Sequence, residues 1–355
     1  MCGILGIYNF IDNRKIINET IHKLKNLQNR GRDTYGLLYY SHSNQDIKII
    51  KEVGDINSDT IYLNIDIENK YNVSLGYTRY ATSYKNCIDD KIFYTQPFLG
   101  NQKNLGKFYL IHNGNLDKDY LRSLYNLDDI EYDNLNDTQI LVKIIELLDI
   151  NNWTDLLIII LNKINLAFSL IIYEFKNNTM YILKDKFGLK PLCIGETSNG
   201  YCISSENNVL LNYHYIKELD NNCIYRINTT ERFIEIYNNK KVLDRRKLCL
   251  FEYIYFQNKQ TKIYGGISKN IEYENKYDMN VYNKITIENF RENLGKMLGK
   301  TEKIKKNKYN IFNNFNYNNI IVIGAPSTGI PYGIGFAKQL NVSYKQFINK
   351  VKNQK

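Results

Sequence analysis

The chain has 355 residues, enough for roughly two domains, and its 43% of hydrophobic residues excludes an intrinsically disordered protein. The formal net charge of +10 comes from scattered basic residues, and the one dense run, residues 300–308, predicts a solvated linker rather than a nucleic-acid site. Six cysteines without a CxxC pair, no signal segment and no apolar run of membrane-spanning length predict a reduced cytoplasmic protein, with no metal, nucleic acid or membrane to bind.

Hydrophobic patterning predicts short strands interleaved with a few amphipathic helices. A strand at residues 4–8 precedes a helix that carries Ile17, Ile21 and Leu24 on one face. The other predicted strands are residues 36–40, 73–80, 108–111, 168–174, 180–184, 192–195, 201–204, 223–227 and 233–237. The other predicted helices are residues 119–124, 137–148 and 153–164. Adjacent helices without a βαβ repeat predict a layered α+β fold.

Cys2 stands directly behind the initiator methionine, at the head of the first predicted strand. A buried structural cysteine is the simplest interpretation. If Met1 is removed, however, one residue carries both a thiol and a free α-amine. That amine titrates at about pH 8 and can serve as the base for the thiol. Cys2 is therefore a candidate nucleophile.

Two further stretches combine turn residues with polar side chains. In the loop NRGRDTYG, residues 29–36, two glycines bracket an Arg-Asp pair, which predicts a tight turn with close backbone approach. In HNGNL, residues 112–116, Asn-Gly after a strand is a common hairpin signal. The same pair, Asn113 and Gly114, also offers two donors to one space, as an oxyanion hole requires.

Asp137 begins the predicted helix at residues 137–148. It stands where an N-cap residue would stand, and capping is a sufficient explanation for an aspartate at that position. The residues alone assign Asp137 no further role.

Seven runs resemble, in order and spacing, those of class II glutamine amidotransferases, which are N-terminal-nucleophile hydrolases: MCGILGI, RGRDTYG, GYTRYATS, HNGNL, DTQILV, KDKFGLKPL and SSEN. The resemblance implies a four-layer α/β/β/α sandwich. The form of HNGNL and the later run FEYIYF, residues 251–256, favour the branch of the family whose second half is a phosphoribosyltransferase domain. In that branch the ammonia is used to form 5-phosphoribosylamine in de novo purine synthesis.

The resemblance also implies roles for individual residues. Cys2 would attack the side-chain amide of glutamine and form a thioester, with Asn113 and Gly114 holding the oxyanion. Arg79 would bind the substrate carboxylate and Asp137 the ammonium group. The remaining implied roles are substrate binding for Thr82 and bracing of the site for Arg30 and Asp33. The family usually has histidine where Tyr77 stands, so we expect a packing or hydrogen-bonding change there.

The second half departs further from the family. The resemblance divides the chain into a glutaminase domain at residues 2–240, a connecting segment with a strand and a helix at 241–319, and the start of an α/β phosphoribosyltransferase-like domain at 320–355. The loop that defines a phosphoribosyl-pyrophosphate site has no match in this sequence. We therefore expect no cofactor in this chain, and Mg²⁺ only if a complete transferase site is supplied.

Three functions remain open at this stage. The first is a glutamine amidotransferase that forms a homo-oligomer or takes its transferase half from a partner chain. The second is a catalytically idle binding or regulatory protein of the same fold. The third is a glutaminase subunit like that of glucosamine-6-phosphate synthase. Cys2, Arg79, Asn113, Gly114 and Asp137 occur together, which favours the first.

Overall fold

The computed structural model describes residues 2–80, 88–127, 132–211, 213–239, 247–263, 285–309 and 319–349. The chain forms two compact units, Met1–Cys249 and Leu250–Lys355. None of the helices in the described ranges has the length and apolar content needed to cross a membrane.

Two antiparallel sheets form the first unit. The seven strands of the first sheet, in spatial order, are β11 (His214–Glu218), β9 (Cys193–Thr197), β10 (Gly200–Ser204), β1 (Gly3–Asn13), β4 (Tyr71–Arg79), β2 (Thr34–Ser41) and β3 (Asp46–Val53). The six strands of the second sheet, in spatial order, are β13 (Arg232–Asn238), β12 (Cys223–Asn228), β8 (Thr179–Lys184), β7 (Phe168–Glu174), β6 (Gly106–Gly114) and β5 (Phe98–Gln102).

Helices cover the outer faces of both sheets. The α-helices among the described residues of this unit are α1 (Lys15–Lys25), α2 (Ser58–Asn64), α3 (Ile88–Phe93), α4 (Lys118–Leu124), α5 (Asp137–Leu147) and α6 (Trp153–Lys163). One apolar cluster joins α1 and α2 to the first sheet, and another joins α4, α5 and α6 to the second. A third cluster, including Ile4, Tyr77 and Ile111, fills the space between the sheets. These layers confirm the predicted α/β/β/α sandwich.

Strand register places the N-terminus beside the end of β4. Ile4 pairs with Tyr77 and Gly3 pairs with Thr78. Side chains two positions apart in a strand share a face, so Cys2 and Ile4 face the same way as Tyr77 and Arg79. The start of β1 and the end of β4 therefore project toward one edge of the layer between the sheets.

The described part of the second unit includes two α-helices, a π-helix and a short parallel strand pair. Helix α7 (Ile287–Tyr309) packs against α8 (Gly329–Leu340). Strand β14 (Ile321–Val322) pairs with β15 (Ser343–Tyr344). Residues 320–340 thus form a strand of only two residues, a loop and helix α8.

Two predictions in this unit are wrong. The run at residues 300–308 belongs to α7 rather than to a linker, because Lys and Glu are good helix formers and neither Gly nor Pro interrupts it. The FEYIYF run is a π-helix, Glu252–Phe256, rather than a strand. There the Arg291 guanidinium binds the carbonyls of Tyr253 and Gln257, both at 2.9 Å. These tertiary contacts outweigh the strand propensity of the aromatic residues.

Candidate active site

A cavity of about 460 Å³ opens where β1 begins and where β4 and β6 end, near the start of α5. Its lining includes Cys2, Asp33, Arg79, Gly114 and Asp137. Five of the eight residues expected at the site thus meet in one pocket. Besides the thiol of Cys2 and the guanidinium of Arg79, the lining carries three aspartates and three lysines, and this mixture of charges suits a small zwitterionic ligand with a reactive carbonyl carbon.

A buried ion pair fixes the backbone at Cys2. The Arg30 guanidinium lies 2.9 Å from a carboxylate oxygen of Glu206, and neither side chain is exposed. Arg30 Nε also donates to the Cys2 carbonyl oxygen at 2.9 Å. Ser205 holds the backbone two residues further on, since its hydroxyl accepts from the Ile4 N–H at 3.0 Å. Arg30 therefore braces the N-terminal strand from behind the pocket.

The Cys2 thiol has a direct side-chain partner. Its Sγ lies 3.0 Å from the Tyr77 hydroxyl oxygen. Cys2 is partly exposed, whereas Tyr77 is buried between the sheets. Burial and the adjacent Cys2 sulfur raise the pKa of Tyr77 well above its usual range, so the phenol stays protonated at neutral pH.

Asn113 lies next to Gly114 at the end of β6, and it is fully buried. It shares a strand face with Tyr109 and Ile111, which pack in the cluster between the sheets that Cys2 also contacts. Neither polar atom of its carboxamide finds a hydrogen-bond partner in the part of the chain that the structure describes. An amide left unpaired in this way is costly unless a ligand uses it.

Asp137 is the first residue of α5, and Asn136 is its N-cap. The Asn136 side chain accepts from the Gln139 N–H at 2.8 Å, and Gln139 reaches back to the Asn136 N–H, completing a capping box. The interpretation of Asp137 as the N-cap is therefore wrong by one residue. Its carboxylate instead accepts from the Leu116 N–H at 2.9 Å and the Thr138 N–H at 2.8 Å, and it lines the pocket.

Arg79 ends β4 at the opposite side of the pocket. Its guanidinium lies 5.7 Å from the centre of the Tyr94 ring and 3.4 Å from the Lys91 carbonyl oxygen. A Cβ on Gly31 would come within 2.2 Å of the Arg79 carbonyl carbon, so the loop can pass this close only with glycine. The close approach expected for this loop is thereby confirmed.

Neutral polar groups connect the end of β6 to α5. His112 Nδ1 lies 3.0 Å from the Thr138 hydroxyl, and the Gln96 amide donates to the same hydroxyl at 3.1 Å. Burial lowers the pKa of His112 to about 4, so the imidazole is neutral at neutral pH. This network orients Thr138, the neighbour of Asp137, without adding a charge to the pocket.

The remaining expected residues are placed differently. Asn113 and Arg30 lie behind the pocket wall, and Thr82 lies outside the described residues. Within those residues, no group of three or more His, Cys, Asp or Glu is arranged to hold a metal ion. The sequence did not point to Glu206 as the counterion of Arg30, although it lies in the SSEN run that the family resemblance singled out.

Comparison with known proteins finds a matching family model and several similar proteins. Residues 85–212 match the family model described as a glutamine amidotransferase domain. The amidophosphoribosyltransferase of Methanocaldococcus jannaschii is 23% identical over 99% of this chain and 69% of that protein. The amidophosphoribosyltransferase of Bacillus subtilis is 24% identical over 99% of this chain and 64% of that protein.

A solved structure has the same fold. The glutamine phosphoribosylpyrophosphate amidotransferase of B. subtilis, complexed with ADP and GMP, superposes with a TM-score of 0.71 at 24% identity. The match covers 97% of this chain and 65% of that chain. The chain therefore spans about two thirds of the length of these proteins.

Proposed function

We propose that this chain is a glutamine amidotransferase of the N-terminal-nucleophile hydrolase fold, because residues 85–212 match that domain model and nearly the whole chain is similar to amidophosphoribosyltransferases. From that premise we propose that it hydrolyses the side-chain amide of glutamine to glutamate and ammonia. One observation carries the proposal. Cys2 lies in the same pocket as Arg79 and Asp137, so a nucleophile and two groups of opposite charge surround one cavity.

Cys2 is the nucleophile in this proposal. After removal of Met1, the α-amine of Cys2 takes the thiol proton, and the sulfur attacks the amide carbon of glutamine. Ammonia leaves with that proton, and a glutamyl thioester remains. Water then attacks the thioester, which releases glutamate and restores the thiol. The contact from Arg30 Nε to the Cys2 carbonyl supports this role, because it fixes the backbone of the residue that carries both the thiol and the α-amine.

Asn113 and Gly114 stabilise the negative oxygen that develops during both steps. The unpaired, fully buried carboxamide of Asn113 supports this assignment, because an oxyanion would supply the partner that its amide lacks among the described residues. Removal of one such donor costs about 2.7–4 kcal/mol of transition-state stabilisation where it has been measured.

Arg79 and Asp137 bind the amino-acid end of glutamine. The Arg79 guanidinium can take the α-carboxylate in a bidentate manner. The Asp137 carboxylate, held by the backbone of Leu116 and Thr138, can take the α-ammonium group. We also propose that Thr82 contributes to substrate binding.

The ammonia acceptor is proposed from the relatives alone. Two relatives and one solved structure carry amidophosphoribosyltransferase names, and this chain spans 64–69% of their lengths. We infer that the ammonia serves formation of 5-phosphoribosylamine in purine synthesis. The transferase half, with its Mg²⁺, would come from a further segment or a partner chain.

The test is glutamate release from glutamine by the purified chain. Cys2→Ala should reduce the rate to background, and Cys249→Ala should retain it, since both thiols are partly exposed and only Cys2 lines the pocket. N-terminal sequencing should show that Met1 is absent in active protein. A Cys2→Ala variant with wild-type turnover would overturn the proposal. A folded wild-type chain without activity would favour the idle protein.

A further inference from the structure

The hydroxyl group beside the proposed nucleophile has no assigned role. Tyr77 Oη lies 3.0 Å from Cys2 Sγ, within hydrogen-bond distance for sulfur. Tyr77 is 3% exposed, and its ring belongs to the cluster between the two sheets. The ring therefore cannot swing away, and the thiol meets a fixed hydroxyl.

The contact between Cys2 and Tyr77 is set by the pairing of β1 with β4 and not by the conformation of a loop. Ile4 of β1 and Tyr77 of β4 are direct antiparallel partners. Cys2 lies two positions before Ile4 and so shares its strand face. Arg30 Nε fixes the Cys2 carbonyl from the other side. The sulfur is consequently positioned by a backbone contact behind it and the phenol beside it.

We propose that Tyr77 is a positioning residue for the Cys2 thiol, whose hydroxyl holds the sulfur at the pocket and donates a hydrogen bond to it when it is ionised. The inference rests on the proposed role of Cys2 as nucleophile. A hydrogen bond to the charged form favours that form, so the hydroxyl lowers the proton affinity of the sulfur. The raised pKa of Tyr77 supports this direction of donation, because the phenol keeps its proton.

The contact acts at two points of the proposed reaction. The sulfur is negative when it attacks the amide and again when it leaves the thioester. Tyr77 stabilises the sulfur at both points without exchanging a proton. The other charged or titratable residues that line the pocket are three aspartates, three lysines, one arginine, one histidine and two tyrosines: Asp33, Asp133, Asp137, Lys91, Lys118, Lys190, Arg79, His112, Tyr80 and Tyr94. They are unchanged in a Tyr77→Phe variant, which removes one oxygen atom only.

The test measures alkylation of Cys2 by iodoacetamide in the full chain, read by mass spectrometry of the N-terminal peptide. In Tyr77→Phe the midpoint of the pH–rate profile should rise by about one pH unit, and the rate at neutral pH should fall about tenfold. Tyr8→Phe is the matched control, because it removes another buried hydroxyl from the same sheet, one that donates to the Asn178 carbonyl at 2.8 Å. It should leave the profile unchanged.

Glutamine turnover supplies a second readout. Tyr77→Phe should lower kcat while KM changes by less than about twofold, because the hydroxyl contacts the nucleophile and not the amino-acid end of the substrate. Equal alkylation profiles in wild type and Tyr77→Phe would overturn the inference. So would a Tyr77→Phe chain that does not fold, since the hydroxyl would then be a structural requirement. Alkylation needs no glutamine, so an inactive wild type would defeat the proposed function alone.

Discussion

Glu206 and Arg30 form the buried charge pair that holds the N-terminal strand. Both side chains are inaccessible to solvent, and the Asn29 amide also donates to Glu206 at 2.8 Å. Charges without solvent are stable only while they are paired, so the arrangement tolerates loss of neither partner. The position of Cys2 therefore depends on a residue that never reaches the pocket.

Glu206→Gln should lower the free energy of unfolding by about 3–5 kcal/mol, because it leaves the Arg30 guanidinium buried without its carboxylate. Urea unfolding of the purified chain measures this. Arg32→Gln is the matched control, because the Arg32–Asp55 pair is about half exposed on both sides and should contribute less than about 1 kcal/mol. Equal losses in the two variants would contradict the assignment.

At the residue scale, some site residues can be recognised from the sequence and others cannot, because the latter are defined by contacts between residues far apart in the chain. Cys2 can be recognised because it follows Met1, so that removal of Met1 would give it both a thiol and a free α-amine. Glu206 is hidden because its partner Arg30 lies 176 positions away, and a contact over that separation exists only in the fold. Tyr77 stands out in the sequence as a departure from the family, but its closeness to Cys2 follows only from the pairing of β1 with β4.

Helix α5 shows how a single element sets the geometry of the pocket. Asn136 and Gln139 cap its first turn, which leaves the carboxylate of Asp137 to the pocket. An aspartate that caps its own helix would be occupied by the backbone of that turn. Because Asn136 accepts from the Gln139 N–H, the Asp137 carboxylate can accept from the Leu116 and Thr138 N–H groups and still line the pocket.

Asn136→Ala should cost about 1 kcal/mol of stability and raise KM for glutamine, because the first turn of α5 carries Asp137. Asn152→Ala is the matched control: Asn152 caps α6, and its side chain accepts from the Asp155 N–H at 2.8 Å. It should cost similar stability and leave KM unchanged. Urea unfolding and glutaminase kinetics give both quantities. A rise in KM in both variants, or in neither, would contradict the link between the cap and the pocket.

Element prediction succeeds where burial and pattern agree. Strand β7 has its predicted bounds, residues 168–174, because a mostly apolar run is buried along its whole length. Strand β3 was not predicted, because half of the residues in DIKIIKEV are charged and the strand forms through its pairing with β2. Helix α5 was predicted at its observed start, but the capping residue was placed one position late.

At the scale of the whole molecule, the two units differ in how much apolar side chain they bury. Three large clusters fill the layers of Met1–Cys249. In Leu250–Lys355 the described buried hydrophobic residues are Phe256, Ile287, Ala337 and Leu340. The family resemblance anticipated the sandwich, since its core follows from strand patterning. The packing of α7 on α8 through small residues has no comparable signal in the sequence.

This difference predicts unequal local stability, which hydrogen exchange of the full chain can measure. Helices α6 and α8 are a matched pair of 11 and 12 residues. The buried positions of α6 are Trp153, Leu156, Leu157, Ile160 and Leu161. The buried positions of α8 are mainly small: Pro331, Gly333, Gly335, Ala337 and Leu340. Opening α8 exposes less apolar area, so it should cost less free energy.

We therefore expect amides in α8 to be protected at least about tenfold less than amides in α6 under native conditions, with each rate corrected for its intrinsic value. Comparing two helices keeps the type of backbone hydrogen bond constant, so the difference reports side-chain burial. The comparison uses the interior amides of each helix, because the first-turn amides have no intrahelical acceptor. Equal protection in the two helices, or greater protection in α8, would show that the second unit is stabilised by something other than the apolar side chains it buries.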